Sequence, residues 1–411
     1  MAHLELTDID YFLPDGRQLL SGVGFRVGDG AKAALIGPNG TGKTTLTRIV
    51  AGDIEPDDGA VTRSGSLGVM RQFVGQLRDD STVLDLLLSV ASPAVRSAAK
   101  ALDDAENAMI EADDAYETAA LEYLNDPARK EQPWAICVGF IAPHFPFIVS
   151  ERYFSKYYPD NLDMPDLPPG HLDNLPPSAE RLRRMFGLDG DWTDDEIARA
   201  RAAYFGLCTY LDDKIGHLLD TLEEQGLAEN TVIVYTSDHG DMLGEHGLWR
   251  KMCFYEQSAR VPLQISWPAK FKGGQRVSQA VSNVDAVATI LELAGIDVSK
   301  WKLDGQSLVP ALNGDTSGLR DIAISEHFAH GTDRAMGMVR SGRWKLCYGH
   351  GDPVELELYD LEADPGEFTN LARVAEHTQV QQRLLKILLD QWGDPDALTA
   401  KIVRDQEDRE I

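Results

Sequence analysis

Nine residues near the N-terminus, GPNGTGKTT from Gly37 to Thr45, have the composition of a loop that binds phosphate groups. Glycines permit a tight turn whose backbone N–H groups converge on phosphate oxygens. At this spacing Lys43 would reach the β- and γ-phosphates, and the Thr44 hydroxyl would hold Mg²⁺. The pattern predicts a nucleotide site that contains Gly37, Asn39, Gly40, Gly42, Lys43, Thr44 and Thr45. The alternative is a glycine-rich turn that carries a lysine by chance.

A second run, TSDHGDMLGEHGLWRK from Thr236 to Lys251, predicts a different chemistry. Asp238 and His239 follow an apolar stretch typical of a β-strand, and α/β sheets bind ligands at the C-terminal ends of their strands. A carboxylate next to an imidazole can hold a divalent cation. Lys251 and His144 add positive charge and proton donors for an oxyanion. Together these residues predict metal-assisted hydrolysis of an ester.

Each of these residues also has a simpler interpretation. For Asp238 and His239 it is a strand-end turn in which the aspartate caps local N–H groups. For Lys251 it is a lysine in solvent, and for His144 a histidine satisfied within a proline-rich loop. Three further residues could line the entrance of the site, but a solvated acidic turn is their favoured interpretation: Asp241, Glu245 and His246.

Composition limits the classes of protein that fit. The 411 residues allow two or three domains, and the formal net charge of −27 argues against nucleic-acid binding through a broad basic face. The four cysteines form no CxxC pair, and the N-terminus has no secretory-type segment, so we expect a cytoplasmic protein. Cys137 and Cys253 are expected to be small buried side chains. No apolar run approaches about eighteen residues, which argues against a membrane partner.

The predicted secondary structure changes from helix to strand beyond residues 119–126. A helix is predicted over residues 98–123, and a strand begins at Ala135 with AICVGFI. Six prolines between residues 159 and 177 predict a long loop. The remaining predicted elements are helices over 194–225 and 378–392, and strands over 31–36, 232–235, 262–267, 322–326 and 336–348.

Residues 1 to about 120 resemble the N-terminus of an ATP-binding cassette of the ABC-F type, a family of soluble ATPases that act on ribosomes. The resemblance lies in MAHLELTDIDYFLPDGRQLL, the phosphate loop and GDIEPDDGAV. It implies that Tyr11 or Phe12 stacks on the adenine of ATP and that Gln72 is the Q-loop glutamine. Packing at the edge of the sheet is the alternative for the aromatic pair. The family's LSGGQ motif, catalytic Asp-Glu strand and switch histidine do not follow, so we expect ATP to bind with Mg²⁺ and to turn over poorly.

From about residue 124 onward the chain resembles the sulfatases of the alkaline-phosphatase superfamily, in particular choline-sulfatase-like and phosphonate-ester-hydrolase-like members. The segments that carry the resemblance are PWAICVGFIAPHFPF, the run around Asp238 with a lysine thirteen residues further on, VPLQISWP and ELYDLEADPGEFTNLA. The resemblance implies that Asp238 and His239 bind a divalent metal, Ca²⁺ or Mn²⁺. It also implies that Lys251 and His144 contact the sulfate or phosphonate group of a small ester.

The formylglycine motif C-x-P-x-R of these sulfatases is not found in the sequence. We therefore expect an α/β protein in which a truncated P-loop cassette unit, residues 1–122, is fused to an incomplete sulfatase/alkaline-phosphatase-like domain, residues 123–411. The expected function is metal-dependent hydrolysis of sulfuric or phosphonate esters, impaired by the missing nucleophile. The alternative functions are an ATP-binding ABC-F protein, with a ribosome as its one nucleic-acid partner, and a non-catalytic module that binds a metal and an anion.

Overall fold

The computed structural model describes residues 3–28, 31, 33, 35, 41–64, 93–185, 187–190, 192–297, 301–329 and 332–407. The chain divides into two compact units, Met1–Ala108 and Met109–Ile411. Helices and strands are mixed in both units, and within the described residues no helix is both long and apolar enough to cross a membrane.

A three-stranded antiparallel sheet with one helix forms the described core of the first unit. The strand order is β2-β1-β3, with β1 at His3–Phe12, β2 at Gln18–Gly28 and β3 at Asp58–Ser64. Helix α1, Lys43–Ala51, begins after Gly42 and ends at Gly52, both in the left-handed region at φ 88° and 82°. Its buried side chains join those of the sheet in one cluster: Leu6, Ile9, Leu20, Leu46 and Ile49.

Helix α2, Pro93–Asn125, is a single long helix that begins in the first unit and ends in the second. Its C-terminal part is held by α5, Asp194–Glu224, because buried Lys214 of α5 contacts Asp114 and lies 2.7 Å from a Glu117 oxygen. The sequence predicted a helix over residues 98–123, and the structure extends it at both ends. The predicted junction between residues 122 and 123 falls inside α2 and stays a prediction.

The strand that leads to the predicted metal residues belongs to a two-stranded sheet. Strand β4, Ile233–Thr236, pairs antiparallel with β5, Leu263–Ser266. The long helix α5 precedes β4 and begins with a capping box, in which the Thr193 side chain accepts from the Glu196 N–H and the Glu196 carboxylate accepts from the Thr193 N–H. Helix α7, Asn283–Leu293, follows the sheet and starts beside the end of β4.

The C-terminal part contains a four-stranded antiparallel meander covered by a helix. The strands are β6 at Ala323–His327, β7 at Met336–Ser341, β8 at Trp344–Gly349 and β9 at Glu355–Asp360, in the order β6-β7-β8-β9. Helix α9, Thr378–Trp392, packs on β7 and β8. The buried cluster between them consists of Val339, Leu346, Tyr348, Leu358, Leu384 and Leu388.

Short helices connect these layers, and one more helix ends the described chain. The α-helices are α3 at Glu151–Phe154, α4 at Pro177–Met185, α6 at Glu256–Ala259, α8 at Val309–Leu312 and α10 at Pro395–Glu407. Single 3₁₀ turns lie at Pro127–Lys130, His171–Asn174, Ala228–Asn230, Glu245–Gly247 and Ala375–His377.

Two strand predictions are wrong. AICVGFI, residues 135–141, is not a strand, because no strand among the described residues pairs with it to complete its hydrogen bonds. Cys137 in this segment is exposed, not buried as expected. The single strand predicted over 336–348 is a hairpin, since Gly342 adopts a left-handed φ of 56° and reverses the chain between β7 and β8. The strand predicted over 31–36 lies largely outside the described residues.

Candidate active site

The end of β4 is fixed by the side chain of Asn283 at the start of α7. The Thr236 hydroxyl donates to Asn283 Oδ1 at 2.9 Å, and Asn283 Nδ2 donates to the Ser237 carbonyl, also at 2.9 Å. This amide therefore clamps the two residues that immediately precede Asp238. Asn283 was not singled out from the sequence, because no helix was predicted over residues 283–293.

Gly240 lets the chain pass close to α6 directly after the predicted metal residues. Its N–H donates to the Ser258 carbonyl at 2.8 Å, and a Cβ atom at position 240 would lie 2.0 Å from the Gln257 carbonyl oxygen. Any side chain would therefore displace the backbone of residue 240 or of α6. The glycine fixes where Asp238 and His239 lie relative to the loop that follows.

Asp241 closes that loop by accepting backbone N–H groups from both of its ends. Its Oδ1 lies 3.1 Å from the nitrogens of Leu243 and Arg250. Burial raises the pKa of Asp241, and these two hydrogen bonds act in the opposite direction. Four residues other than glycine adopt a positive φ in or next to this loop, a conformation that costs on the order of 1 kcal/mol each: Leu243, His246, Arg250 and Met252.

The expectation of a solvated acidic turn is wrong for the middle of the loop. His246 is 1% exposed, and its ring stacks on that of Tyr255 with 3.8 Å between the ring centroids. The distance between His246 Nδ1 and His171 Nε2 is 2.9 Å. Burial lowers the pKa of His246 to about 4. Glu245 lies 3.1 Å from buried Arg201. These groups pack the loop against its surroundings, so they position it and do not line an opening to solvent.

Asp238 and His239 lie side by side at the surface, with one ligand atom of each close together. His239 Nδ1 is 2.9 Å from the Gly240 carbonyl, which can only accept, so Nδ1 carries a proton and Nε2 is the ring nitrogen left to face a metal. That Nε2 lies 3.5 Å from Asp238 Oδ2, and the Asp238 side chain is 83% exposed. Within the described residues, no three or more His, Cys, Asp or Glu side chains form a group that could hold a metal.

His144 and Lys251 meet beside these two residues. The Lys251 ammonium group contacts His144 Nε2, while His144 Nδ1 lies 2.6 Å from the Phe145 carbonyl. The His144 ring lies 5.9 Å from the His239 ring, centroid to centroid. Burial lowers the pKa of Lys251, and the nearby carboxylates of Asp238 and Asp241 oppose that effect. The structure therefore brings together all four residues that the sequence assigned to this site, although they are separated by up to 107 positions in the chain.

The nucleotide residues that the structure describes lie at the start of α1. Gly42 precedes the helix, Lys43 is its first residue, Thr44 is exposed and Thr45 is half-buried. Tyr11 packs against the core of the first unit, as the alternative of edge packing predicts, and nothing here tests a stacking role. The other predicted nucleotide residues lie outside the described residues: Gly37, Asn39, Gly40 and Gln72.

Three family models match the chain in two blocks. The ABC transporter model matches residues 20–132, the sulfatase model matches residues 93–296, and the model for the C-terminal region of N-sulphoglucosamine sulphohydrolase matches residues 244–393. Residues 93–393 are sulfatase-like. The two-part resemblance is confirmed, and so is the α/β fold of an ABC-type unit fused to a sulfatase-like domain.

Relatives of the sulfatase-like region include both ester classes that the sequence predicted. A choline-sulfatase from Rhizobium meliloti is 38% identical over 252 residues, which are 60% of this chain and 48% of that protein. A phosphonate monoester hydrolase from Silicibacter pomeroyi has the same fold, with a TM-score of 0.56, 30% identity and coverage of 65% of this chain and 57% of that one. The chain therefore spans about half the length of the curated sulfatases it matches.

The N-terminal block has its own relative. An antibiotic resistance protein from Mycobacteroides abscessus is 66% identical over 113 residues, which are 28% of this chain and 20% of that protein. The two blocks thus match unrelated proteins, and the ABC transporter and sulfatase models overlap over residues 93–132, where α2 lies.

Proposed function

We propose that the sulfatase-like region is a binding site for a divalent cation and a small sulfate or phosphonate monoester, derived from an ester hydrolase and impaired in turnover. The observation that carries this proposal is the convergence of Asp238, His239, His144 and Lys251 at the end of β4. The named activities of the two relatives support the choice of ester.

Asp238 and His239 fit two positions of a cation site. Oxygen and nitrogen ligands lie about 2.0–2.2 Å from metals such as Zn²⁺ or Mn²⁺, so two ligands of one ion are roughly 3.0–3.5 Å apart. The observed 3.5 Å between His239 Nε2 and Asp238 Oδ2 agrees with this spacing. The Nδ1–H donated to a carbonyl is also the usual arrangement behind a histidine ligand. A Ca²⁺ or Mn²⁺ ion bound there would supply Lewis-acid chemistry to the ester.

His144 and Lys251 would act on the anionic group of the ester. The His144 tautomer directs Nε2 toward the Lys251 ammonium group, so the lysine donates to the histidine and holds the ring. The remaining Lys251 protons are free to donate to sulfate or phosphonate oxygens, where a charged donor is worth about twice a neutral one. In a substrate complex these two side chains would bind and orient the oxyanion.

Metal binding is the first test of the proposal. With Ca²⁺ or Mn²⁺ at about 100 times its Kd, the expected stabilisation of about 2.7 kcal/mol would raise the Tm by roughly 5–10 °C. Asp238→Ala and His239→Ala should each remove that rise, and Asp220→Ala, an exposed aspartate of α5, should keep it. Thermal melts with and without the ion measure the effect. Equal stabilisation of the wild type and Asp238→Ala would show that the ion binds elsewhere.

Turnover by the purified chain should be negligible. The metal and cation contacts stabilise charge, but no group in the formylglycine position forms the covalent intermediate, and loss of a nucleophile costs factors on the order of 10⁶ in other hydrolases. An aryl sulfate and a phosphonate monoester are the substrates to assay. Clear hydrolysis that disappears in Asp238→Ala would contradict the expectation of an impaired enzyme.

A second proposal concerns the first unit, for which a separate observation exists. We infer that it binds Mg-ATP, because α1 begins with Lys43 directly after the left-handed Gly42 and because the ABC transporter model covers this segment. As part of this proposal, the unit is of the ABC-F type, lies in the cytoplasm and has a ribosome as its partner. Co-sedimentation with ribosomes tests the last of them.

Substitution of Lys43 tests the nucleotide site. Lys43→Ala should abolish binding of a fluorescent ATP analogue, because the ammonium group that contacts the β- and γ-phosphates is lost. Lys130→Ala, an exposed lysine of the second unit, is the matched control. ATP hydrolysis should stay at background in both proteins. A robust ATPase rate that Lys43→Ala removes would mean that a catalytic carboxylate exists outside the predicted set.

A further inference from the structure

The ring of Phe145 contacts several of the groups at the oxyanion end of the candidate site. It stacks on the His144 ring, with 4.2 Å between the ring centroids and 29° between the ring planes. The Lys251 ammonium nitrogen lies 4.8 Å from the Phe145 centroid, and the guanidinium carbon of Arg250 lies 4.3 Å from it. Both distances fall within the range of about 6 Å over which an aromatic face attracts a cation. One aromatic side chain therefore contacts the histidine and two neighbouring cations.

The backbone turns at Arg250, and two consecutive side chains reach the same ring. Consecutive side chains of an extended chain point to opposite sides. Arg250 is not extended but adopts a left-handed φ of 69°. Hydrogen bonds hold this residue on both sides, because its N–H donates to Asp241 Oδ1 at 3.1 Å and its carbonyl accepts from the Met242 N–H at 2.7 Å. Backbone strain that is fixed in this way is common at ligand-binding sites.

Two cations side by side repel each other, so their arrangement needs opposing interactions. Burial lowers the pKa of Lys251, and the positive charge of Arg250 acts in the same direction. The carboxylates of Asp238 and Asp241 oppose both effects. The electron-rich face of the Phe145 ring also attracts each cation. A bound oxyanion would be attracted by both positive charges at once, and hydrogen bonds from charged donors are the strong ones.

We propose that Phe145 is a positioning residue: its ring holds the Arg250 and Lys251 side chains together, so that two cations contact the oxyanion of the ester. This inference deepens the proposed function and rests on it. It adds Arg250 to the groups that bind the anion, and it gives Phe145 a role through those groups. The alternative is that the two long side chains only pack their apolar stems on the ring.

Fluorination of the Phe145 ring separates these two roles. Trifluorophenylalanine at this position nearly keeps the shape of the ring but withdraws electrons from its face, so it weakens the attraction to cations and preserves the packing. Urea denaturation of this variant, of Arg250→Met/Lys251→Met and of their combination forms a double-mutant cycle. Fluorination should raise the unfolding equilibrium constant by about threefold to tenfold when both cations are present. It should change that constant little when both cations are replaced.

Binding of inorganic sulfate tests the effect on the anion. In calorimetric titrations at constant ionic strength with Mn²⁺ present, fluorination of Phe145 should raise the sulfate Kd by about threefold to tenfold. Arg250→Met should raise it by roughly tenfold or more, because a charged donor to the anion is lost. Trifluorophenylalanine at Phe147 is the matched control, since that ring packs on Tyr204 with 5.5 Å between centroids. This control should bind sulfate as the wild type does.

The outcomes separate this inference from the proposed function. An equal effect of fluorination with and without the two cations would overturn the inference. A sulfate Kd that neither fluorination of Phe145 nor Arg250→Met changes would also overturn it, and would leave the proposed function intact if Lys251→Met still abolished binding. A cycle that shows coupling in a chain that binds no sulfate would support the hold of the ring on the cations and contradict the proposed function.

Discussion

Gly240→Ala is expected to abolish cation binding and to destabilise the second unit. The added Cβ would lie 2.0 Å from the Gln257 carbonyl oxygen, so either the strand end or α6 must move. Overpacking of this kind costs about 1–3 kcal/mol, and the displaced backbone carries Asp238 and His239 with it. Urea denaturation measures the first effect. The rise in Tm with Ca²⁺ or Mn²⁺ measures the second.

Gly139→Ala is the matched control for this substitution. A Cβ atom at Gly139 would meet nothing within 4 Å among the described residues, so the stability and the response to the ion should stay as in the wild type. If Gly240→Ala kept its response to the ion while losing stability, the position of His239 would not depend on the close approach to α6.

Elements with a strong local pattern were predictable from the sequence. The amphipathic helix predicted over 378–392 and the helix predicted over 194–225 have their predicted type and nearly their predicted ends. Local propensity and periodicity decide such elements. Helix α1 is also delimited by local sequence, because glycines lie at both of its ends.

Elements that depend on neighbours were not predictable in the same way. AICVGFI has the composition of a buried strand, yet a strand exists only when another strand supplies its hydrogen bonds. The hairpin at Gly342 was missed because its polar turn segment, RSGR at residues 340–343, was interpreted as part of one strand. Helix α7, residues 283–293, and strand β9, residues 355–360, were also missed from the sequence.

The same distinction applies to the active site, where some residues could be selected from local sequence and others could not. Residue type and strand position were enough to select Asp238, His239, His144 and Lys251, and their proximity in the structure agrees with that selection. Their roles stay predictions. The groups that hold the site, Asn283 and Asp241, act through hydrogen bonds to the backbone, for which the sequence carries no pattern. Their contribution to the site can be recognised only from the hydrogen bonds of the folded chain.

A buried charge cluster links the C-terminal sheet to the segment that follows Lys251. Lys345 of β8 is fully buried, with its ammonium nitrogen 2.7 Å from a Glu367 oxygen and 3.0 Å from a Glu256 oxygen. The Glu256 N–H, at the start of α6, donates to the second Glu367 oxygen at 2.7 Å. Burial raises the pKa of Glu367, and Lys345 opposes that shift. For Lys345 itself burial lowers the pKa, but the two glutamates outweigh it and the net shift is upward.

Lys345→Ala is therefore expected to cost about 3–5 kcal/mol of unfolding free energy at pH 7.5, because it leaves the Glu367 carboxylate buried without its cationic partner. Removal of the ammonium group raises the folded pKa of Glu367 further above its unfolded value. A carboxyl group shifted in that direction weakens the fold as pH rises, so the variant should regain stability when the pH is lowered from 7.5 to 5. Urea denaturation at the two pH values measures both effects.

The double variant Lys345→Met/Glu367→Gln should be closer to the wild type at pH 7.5 than Lys345→Ala is, because it removes both charges and keeps most of the buried volume. Its stability difference from the wild type should also change less with pH, since the glutamine does not titrate. A double variant as unstable as the single one would mean that the loss comes from packing and not from the unpaired charge.

Because Glu256 follows Lys251 by five residues, the response to Ca²⁺ or Mn²⁺ in the double variant would show whether this cluster also holds the active-site loop in place.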